Sequence, residues 1–249
     1  MALRWQSIGL VAAILAITAC EDTERRMEEA SDMRSIEETT TEPAAEVTES
    51  PTARTMPTAI ERAEDLTIEI QPKIERTDWD DAENKAEELR QLSTSLAQTD
   101  APTAEVAAFD SAVNTLAANI TNRDKIAAGL AAGDAQRAAL AMAAAYSPEV
   151  PVAVGYMEVA TWDLTYHSEA GDWSEAANDL EELEKQYGKV QAHLTQRDRD
   201  LAKKVEEEIE KLRTAIAEED EHEAKKKAKE IRDHLHKIAK TYEDRRNER

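Results

Sequence analysis

Cysteine occurs once in 249 residues, as Cys20, so no disulfide can form within the chain. Aromatic residues are also scarce, at 4 %, which leaves a core to be built mostly from Ala, Leu, Ile and Val. The chain holds only six Gly and seven Pro, and its abundant Ala, Glu and Lys lose little side-chain freedom in a helix. Basic residues number 31 against 53 acidic ones, for a formal net charge of −22. A phosphate-binding surface needs the opposite balance, which argues against nucleic acid as a partner. The sequence also lacks a glycine-rich phosphate loop, a Cys-x-x-Cys pair, a His-Glu-x-x-His helix and any defensible Ser/His/Asp order. The expectation is a non-enzymatic protein with no cofactor.

What is present begins at the N-terminus. Arg4 lies in a short charged region, Ile8 to Ile17 is almost wholly apolar, and Thr18-Ala19-Cys20 follows. That is the order of a secretory signal, and its apolar run is short for a membrane span. Ile17-Thr18-Ala19-Cys20 resembles the lipobox of bacterial lipoproteins. The resemblance implies a signal peptide over residues 1–19, lipidation of Cys20 and attachment to a membrane of the cell envelope, facing the periplasm. Glu21-Asp22 departs from the Asp that favours inner-membrane retention, so inner against outer membrane stays open. Residues 20–55 are rich in Glu, Thr, Ser and Pro and hold hardly any large apolar side chain. Such a segment buries too little to offset its chain entropy and reads as a disordered acidic linker. Its r.m.s. reach is about 30–35 Å for a flexible chain of that length.

Beyond the linker the chain is duplicated. Asp78-Trp79-x-x-Ala82-x-Asn84-x-x-Glu87-Glu88-Leu89 recurs as Asp172-Trp173-x-x-Ala176-x-Asn178-x-x-Glu181-Glu182-Leu183, at an offset of 94 (172 − 78). Apolar residues at steps of three and four then mark four helices per copy. Examples are Phe109-Val113-Leu116-Ile120, Leu201-Val205-Ile209-Leu212-Ile216 and Ala224-Ala228-Ile231-Leu235-Ile238-Tyr242. The fourth helix of the first copy replaces that last stripe with Ala128-Ala132-Ala135-Ala139-Met142-Tyr146 and adds Gly129 and Gly133. It must either be packed closely by a neighbour or break near Gly133-Asp134. Pro72 should kink or loosen the first helix. The fold expected is all-α: two tandem four-helix units of antiparallel hairpins, repeat 1 over 56–147 and repeat 2 over 148–249, with one continuous hairpin array as the rival. Gly171-Asp172-Trp173-x-x-Ala176 resembles the turn inside tetratricopeptide-type hairpins, over about six residues.

Three candidate sites follow. All five histidines lie in the second copy. Glu158, Asp163 and His167, one helix apart from the rest, could hold a metal ion or a small ligand. Glu230 with His234 and Glu219 with His222 have chelating spacing as well. Thr67 with Thr161, and Glu64 with Glu158, put polar groups beside the apolar stripes, where a buried acid needs a partner. Asp81, Asn84 and Glu88, with Glu175, Asn178 and Glu182, form a repeated acidic ridge opposite the apolar stripe and are candidates for a surface that meets a protein partner. Finally, the last helix is basic from Lys225 to Arg249. That charge complements either the acidic second helices or an external acidic surface. The expectation is a lipid-anchored scaffold or interaction module, with a metal- or small-ligand-binding bundle as the alternative.

Overall fold

The computed structural model describes residues 55–146, 149–196 and 199–247. Cys20, the signal and nearly all of the acidic linker lie outside them. The described residues form eight helices and no strand: α1 (Thr58–Glu75), α2 (Trp79–Leu96), α3 (Thr103–Thr121), α4 (Lys125–Ala143), α5 (Glu149–Ala170), α6 (Trp173–Gln191), α7 (Arg199–Ala217) and α8 (Glu221–Asn247). The all-α expectation holds. None of these helices is long and apolar enough to cross a membrane.

One turn design is used four times. After α1, α3, α5 and α7 the chain places a single residue at positive φ: Thr77 (56°), Arg123 (56°), Gly171 (72°) and Glu219 (54°). In each turn two amides reach back to the end of the preceding helix. The N–H of Thr77 donates to Ile74 O and that of Asp78 to Lys73 O, with the same pattern at Arg123/Asp124, Gly171/Asp172 and Glu219/Asp220. These are Schellman closures, which satisfy the carbonyls a helix end leaves bare. An aspartate follows every time. Asp124, Asp172 and Asp220 accept from the amides of Ala127, Glu175 and Glu223 and so cap the next helix. Asp78 instead faces Lys73 at 3.7 Å. The duplicated motif is thus the best preserved part of a hairpin turn that recurs at 77, 123, 171 and 219.

The hairpins close into two four-helix rings. Successive helices pack side by side from α1 to α4, and α1 packs on α4; α5 to α8 do the same, with α8 against α5 and a looser α6–α7 seam. Two tandem four-helix units are therefore present, not an open array. The apolar stripes read from the sequence form their cores. Phe109, Val113, Leu116 and Ile120 are buried in the first, and Val205, Ile209, Leu212, Ile231 and Leu235 in the second. Burying each such side chain is worth about 1.5–3 kcal/mol. Trp79 and Trp173 pack partly buried against their respective cores.

The rings join along α4 and α5. α4 is continuous through Gly133-Asp134, and α1 runs through Pro72 to Glu75. Gly129 and Gly133 explain the alanine-rich α4. A Cβ on Gly129 would stand 2.2 Å from the Tyr166 ring, and one on Gly133 would stand 2.4 Å from Oδ1 of Asp163. In return, α5 offers Gly155, where a Cβ would stand 2.4 Å from Leu140. Each helix has given up side chains where the other presses in.

α5 departs from expectation. Its stripe Val154-Met157-Leu164 faces the second core, but Trp162 and Tyr166 belong to the first. It is a central helix buried on both sides.

Candidate functional site

Because α5 is enclosed, its polar residues are forced to find partners inside the protein. Glu158, Thr161, Asp163, Thr165 and Ser168 are all buried, as are Thr67 and Gln71 of α1, Gln136 of α4 and Arg232 of α8. A buried polar group left unbonded costs about 1–3 kcal/mol, and most of these are bonded across helices.

Tyr166 illustrates the connection. Its hydroxyl donates to Oε1 of Gln71 at 3.1 Å, and Nε2 of Gln71 donates to the carbonyl of Gly129 at 3.3 Å. One phenol thereby ties α5, α1 and α4, with its ring seated on Gly129. Burial pushes the phenol pKa far up, which keeps it a neutral donor.

Arg232 enters from α8. Its guanidinium lies 3.7 Å from the centre of the Trp162 ring and donates to the Thr161 carbonyl at 2.9 Å and to Thr165 Oγ1 at 3.3 Å. Burial brings its pKa down to about 10. Stacking on an indole is a favourable way to hold a buried cation.

The proposed ligand set Glu158, Asp163 and His167 is dispersed among separate partners. Glu158 Oε1 accepts from His236 Nε2 at 2.9 Å. Asp163 Oδ2 takes the Arg137 guanidinium of α4. His167 Nδ1 meets Asp179 Oδ2 of α6 at 2.7 Å. Glu158 lies about 140° around α5 from Asp163, whereas Asp163 and His167 share a face one turn apart and are claimed by different helices. Among the described residues no three His, Cys, Asp or Glu side chains converge as a metal site. His222 is exposed at the start of α8, and Nδ1 of His234 is buried beside the core without a hydrogen-bond partner.

Charge in this region is tuned by burial. The Asp163 side chain is 2 % exposed; burial pushes its carboxyl up to about 7, and the Arg137 guanidinium offsets only part of that shift. The hydrogen bond to Asp179 holds His167 above its ordinary value. Burial raises Asp179 in spite of that histidine. Glu64, the counterpart of Glu158, goes up to about 7 through burial and the nearby Asp65 and Glu61. Thr67 and Thr161 bond carbonyls of their own helices, Thr67 to Glu64 O at 2.8 Å and Thr161 to Glu158 O at 2.7 Å.

The acidic ridge is split between two uses. In the first copy Asp81 pairs with Lys73 and Glu88 with Arg62 at 3.0 Å, so these acids fasten α2 to α1, while Glu88 also meets Lys85 of its own helix at 3.4 Å. In the second copy Glu175 accepts from Asn178 at 3.2 Å and Glu182 from Lys185 at 2.8 Å, within α6 itself. Asn84 is exposed. The counterparts of Arg62 and Lys73 at the 94-residue offset are Tyr156 and His167, and only the first copy carries full cations there. The basic face of α8 is met largely from within. Lys227 pairs with Glu208 of α7 at 2.9 Å and with Glu230 of its own helix at 2.6 Å. Lys225 reaches Glu169 of α5 at 2.6 Å, and Lys125 of α4 holds the same carboxylate at 2.7 Å.

Arg137, Asp179 and Arg232 were not legible as members of this network. A weak signal existed for Arg232, which with Gln136 occupies the same place in the two fourth helices (232 − 96 = 136) on the flank of an apolar stripe. No protein-family model, no curated protein and no solved structure matches the chain.

Proposed function

We propose that this protein is a non-enzymatic interaction module of the cell envelope, held to a membrane by lipid on Cys20 and displaced from it by the acidic segment that follows. One structural observation carries the module reading. The side chains best suited to chemistry, Glu158, Asp163 and His167, are each engaged by a neighbouring helix through His236, Arg137 and Asp179. They act as internal fasteners between helices, which suits a stiff platform that presents its outer helices to a protein partner. The address rests separately on Ile17-Thr18-Ala19-Cys20.

In-cell cross-linking of the full chain, read by mass spectrometry, tests the module. Reproducible cross-links from lysines of α2, α6 or α7 to one envelope protein are expected. Recovery of none at wild-type abundance would count against the proposal. Cys20→Ala tests the anchor: the variant should leave the membrane fraction, and membrane retention would refute lipid attachment.

A second reading, a bundle that takes a small ligand, is favoured by one cavity. It measures about 250 Å³ between the start of α1, the start of α5 and the end of α8. Glu61, Glu64 and Asp65 face Val150, Val154 and Tyr242 across it. Its chemistry suits a small organic cation. NMR titration with tetramethylammonium should shift the Val150 and Val154 methyls if this reading holds, and Glu64→Gln should remove the shift.

A further inference from the structure

The α4–α5 seam gathers two carboxylates that are largely shut off from water, Asp163 and Asp179, around one guanidinium and one histidine. Asp163 of α5 projects between α4 and α6. Arg137 of α4 binds its Oδ2, while Oδ1 lies against Gly133 and has no hydrogen-bond partner. Arg137 is shared with Asp134, one turn away on α4, at 3.2 Å. Asp179 of α6 approaches from the other side and is bonded by His167, one turn beyond Asp163 on α5. α8 and α1 meet other parts of α5: Arg232 and His236 engage Thr161 and Glu158, with Glu75 of α1 near Arg232, and Gln71 of α1 engages Tyr166.

The charges can be counted. With a proton on Asp163 and another on His167, two cations (Arg137, His167) face two carboxylates (Asp134, Asp179). With both protons gone, Arg137 alone faces three carboxylates, of which Asp134 is exposed and Asp163 and Asp179 are largely shut off from water. Two such carboxylates sharing one guanidinium, with Asp163 Oδ1 left unbonded, are unfavourable because water screens them poorly.

We infer that this cluster is a proton-operated latch between the two four-helix units, closed when Asp163 and His167 are protonated and loosened when both are deprotonated. Burial raises Asp163 to about 7, which puts the change close to neutrality. Release of the proton sets Asp163 against Asp179 and Asp134, and the contact most directly exposed to that repulsion is the one where α5 presses on Gly133. The latch thus links envelope pH to how tightly the units are clasped. It goes beyond the module reading, and its test is independent of any partner or membrane.

The full chain can be followed by hydrogen exchange between pH 6 and 8.5, with rates corrected for intrinsic pH dependence. Amides of α4 and α5 should lose protection about tenfold on going to pH 8.5, while those of α7 change less than about twofold. Asp163→Asn removes the titrating group but keeps an oxygen for Arg137, and should reduce the α4–α5 change to under about twofold. Equal protection at both pH values in the wild type, or an undiminished change in Asp163→Asn, would overturn the latch. The wild type decides alone if the variant misfolds. Carbon-13 NMR of its aspartate carboxyls should show Asp163 titrating near neutrality, and a midpoint in the ordinary carboxylate range would also refute it.

Discussion

Gly133 and the carboxylate of Asp163 are in direct contact across the two repeats: a Cβ on the glycine would stand 2.4 Å from Oδ1. Gly129 stands in the same relation to Tyr166, whose ring atoms would lie 2.2 Å from the added carbon. The join between the units therefore depends on what α4 lacks.

Glycine substitutions should accordingly split by position. Gly129→Ala gains helix propensity worth about 1 kcal/mol but forces the fully buried Tyr166 ring to move, at about 1–3 kcal/mol or more. A net loss of about 1–2 kcal/mol is expected by urea denaturation, with Gly133→Ala behaving alike. Gly188 lies inside α6 with nothing within 4 Å of an added carbon. Gly188→Ala should stabilise by about 0.5–1 kcal/mol. The same substitution thus carries opposite signs in one protein.

The four hairpin turns make a second prediction. Thr77, Arg123 and Glu219 hold the left-handed conformation that an L-residue adopts at a cost of about 1–2 kcal/mol. Replacing each by Gly should stabilise by about 0.5–1 kcal/mol, since the freer unfolded chain returns part of the gain. Gly171→Ala should destabilise by about 1 kcal/mol. Thermal denaturation of the four single variants checks both directions.

Stability should be greatest on the acid side of neutrality. The raised Asp163 carboxyl contributes stability that is complete below the usual carboxylate range and is lost as pH rises through about 7. His167 is raised too, so its contribution is present below the ordinary histidine value and disappears above it. Glu69, Glu169 and Glu208 are held low, mainly by lysines that outweigh their burial, and their contributions go the other way, disappearing below about pH 4. Unfolding free energies from urea titrations should therefore peak near pH 5 and decline by about 1–3 kcal/mol toward pH 8.5. A curve that rises from pH 5 to 8.5 would contradict the assignment.

Arg232 is the cation whose shape matters most. Lysine in its place keeps the charge but cannot lie flat on Trp162 while donating to Thr161 and Thr165. Arg232→Lys should cost about 1–2 kcal/mol, with a change in tryptophan emission, since Trp162 loses its stacked cation. Loss of stability without that emission change would mean the stack is not what is being removed.

How far the fold was legible depended on how many faces each helix buries. Helices with one buried side, such as α7 with Val205, Ile209, Leu212 and Ile216, follow the three-and-four rule. The alanines of α4 announced a close neighbour without naming it, because periodicity says that a face is buried and not what covers it. α5 resisted more strongly. Trp162 and Tyr166 fall off the stripe Val154-Met157-Leu164, and a single-face periodicity gives them no place until the first core is seen to receive them. The same blindness applied to the site. Glu158, Asp163 and His167 were readable as interesting on one helix, but Arg137, Asp179 and His236, which claim them, are supplied by three others. The ridge was expected to face a partner, yet acids of its first copy, Asp81 and Glu88, stitch α2 to α1.

The double burial of α5 also decides where this chain can be divided. A cut between α4 and α5 would strip the first fragment of Trp162 and Tyr166 and bare the same two side chains on the second. Neither half is then a finished object: one has an unfilled core, the other an orphaned plug. Expressed separately they should be poorly soluble, and mixed they should find each other, so that the two units behave as a lock and its bolt.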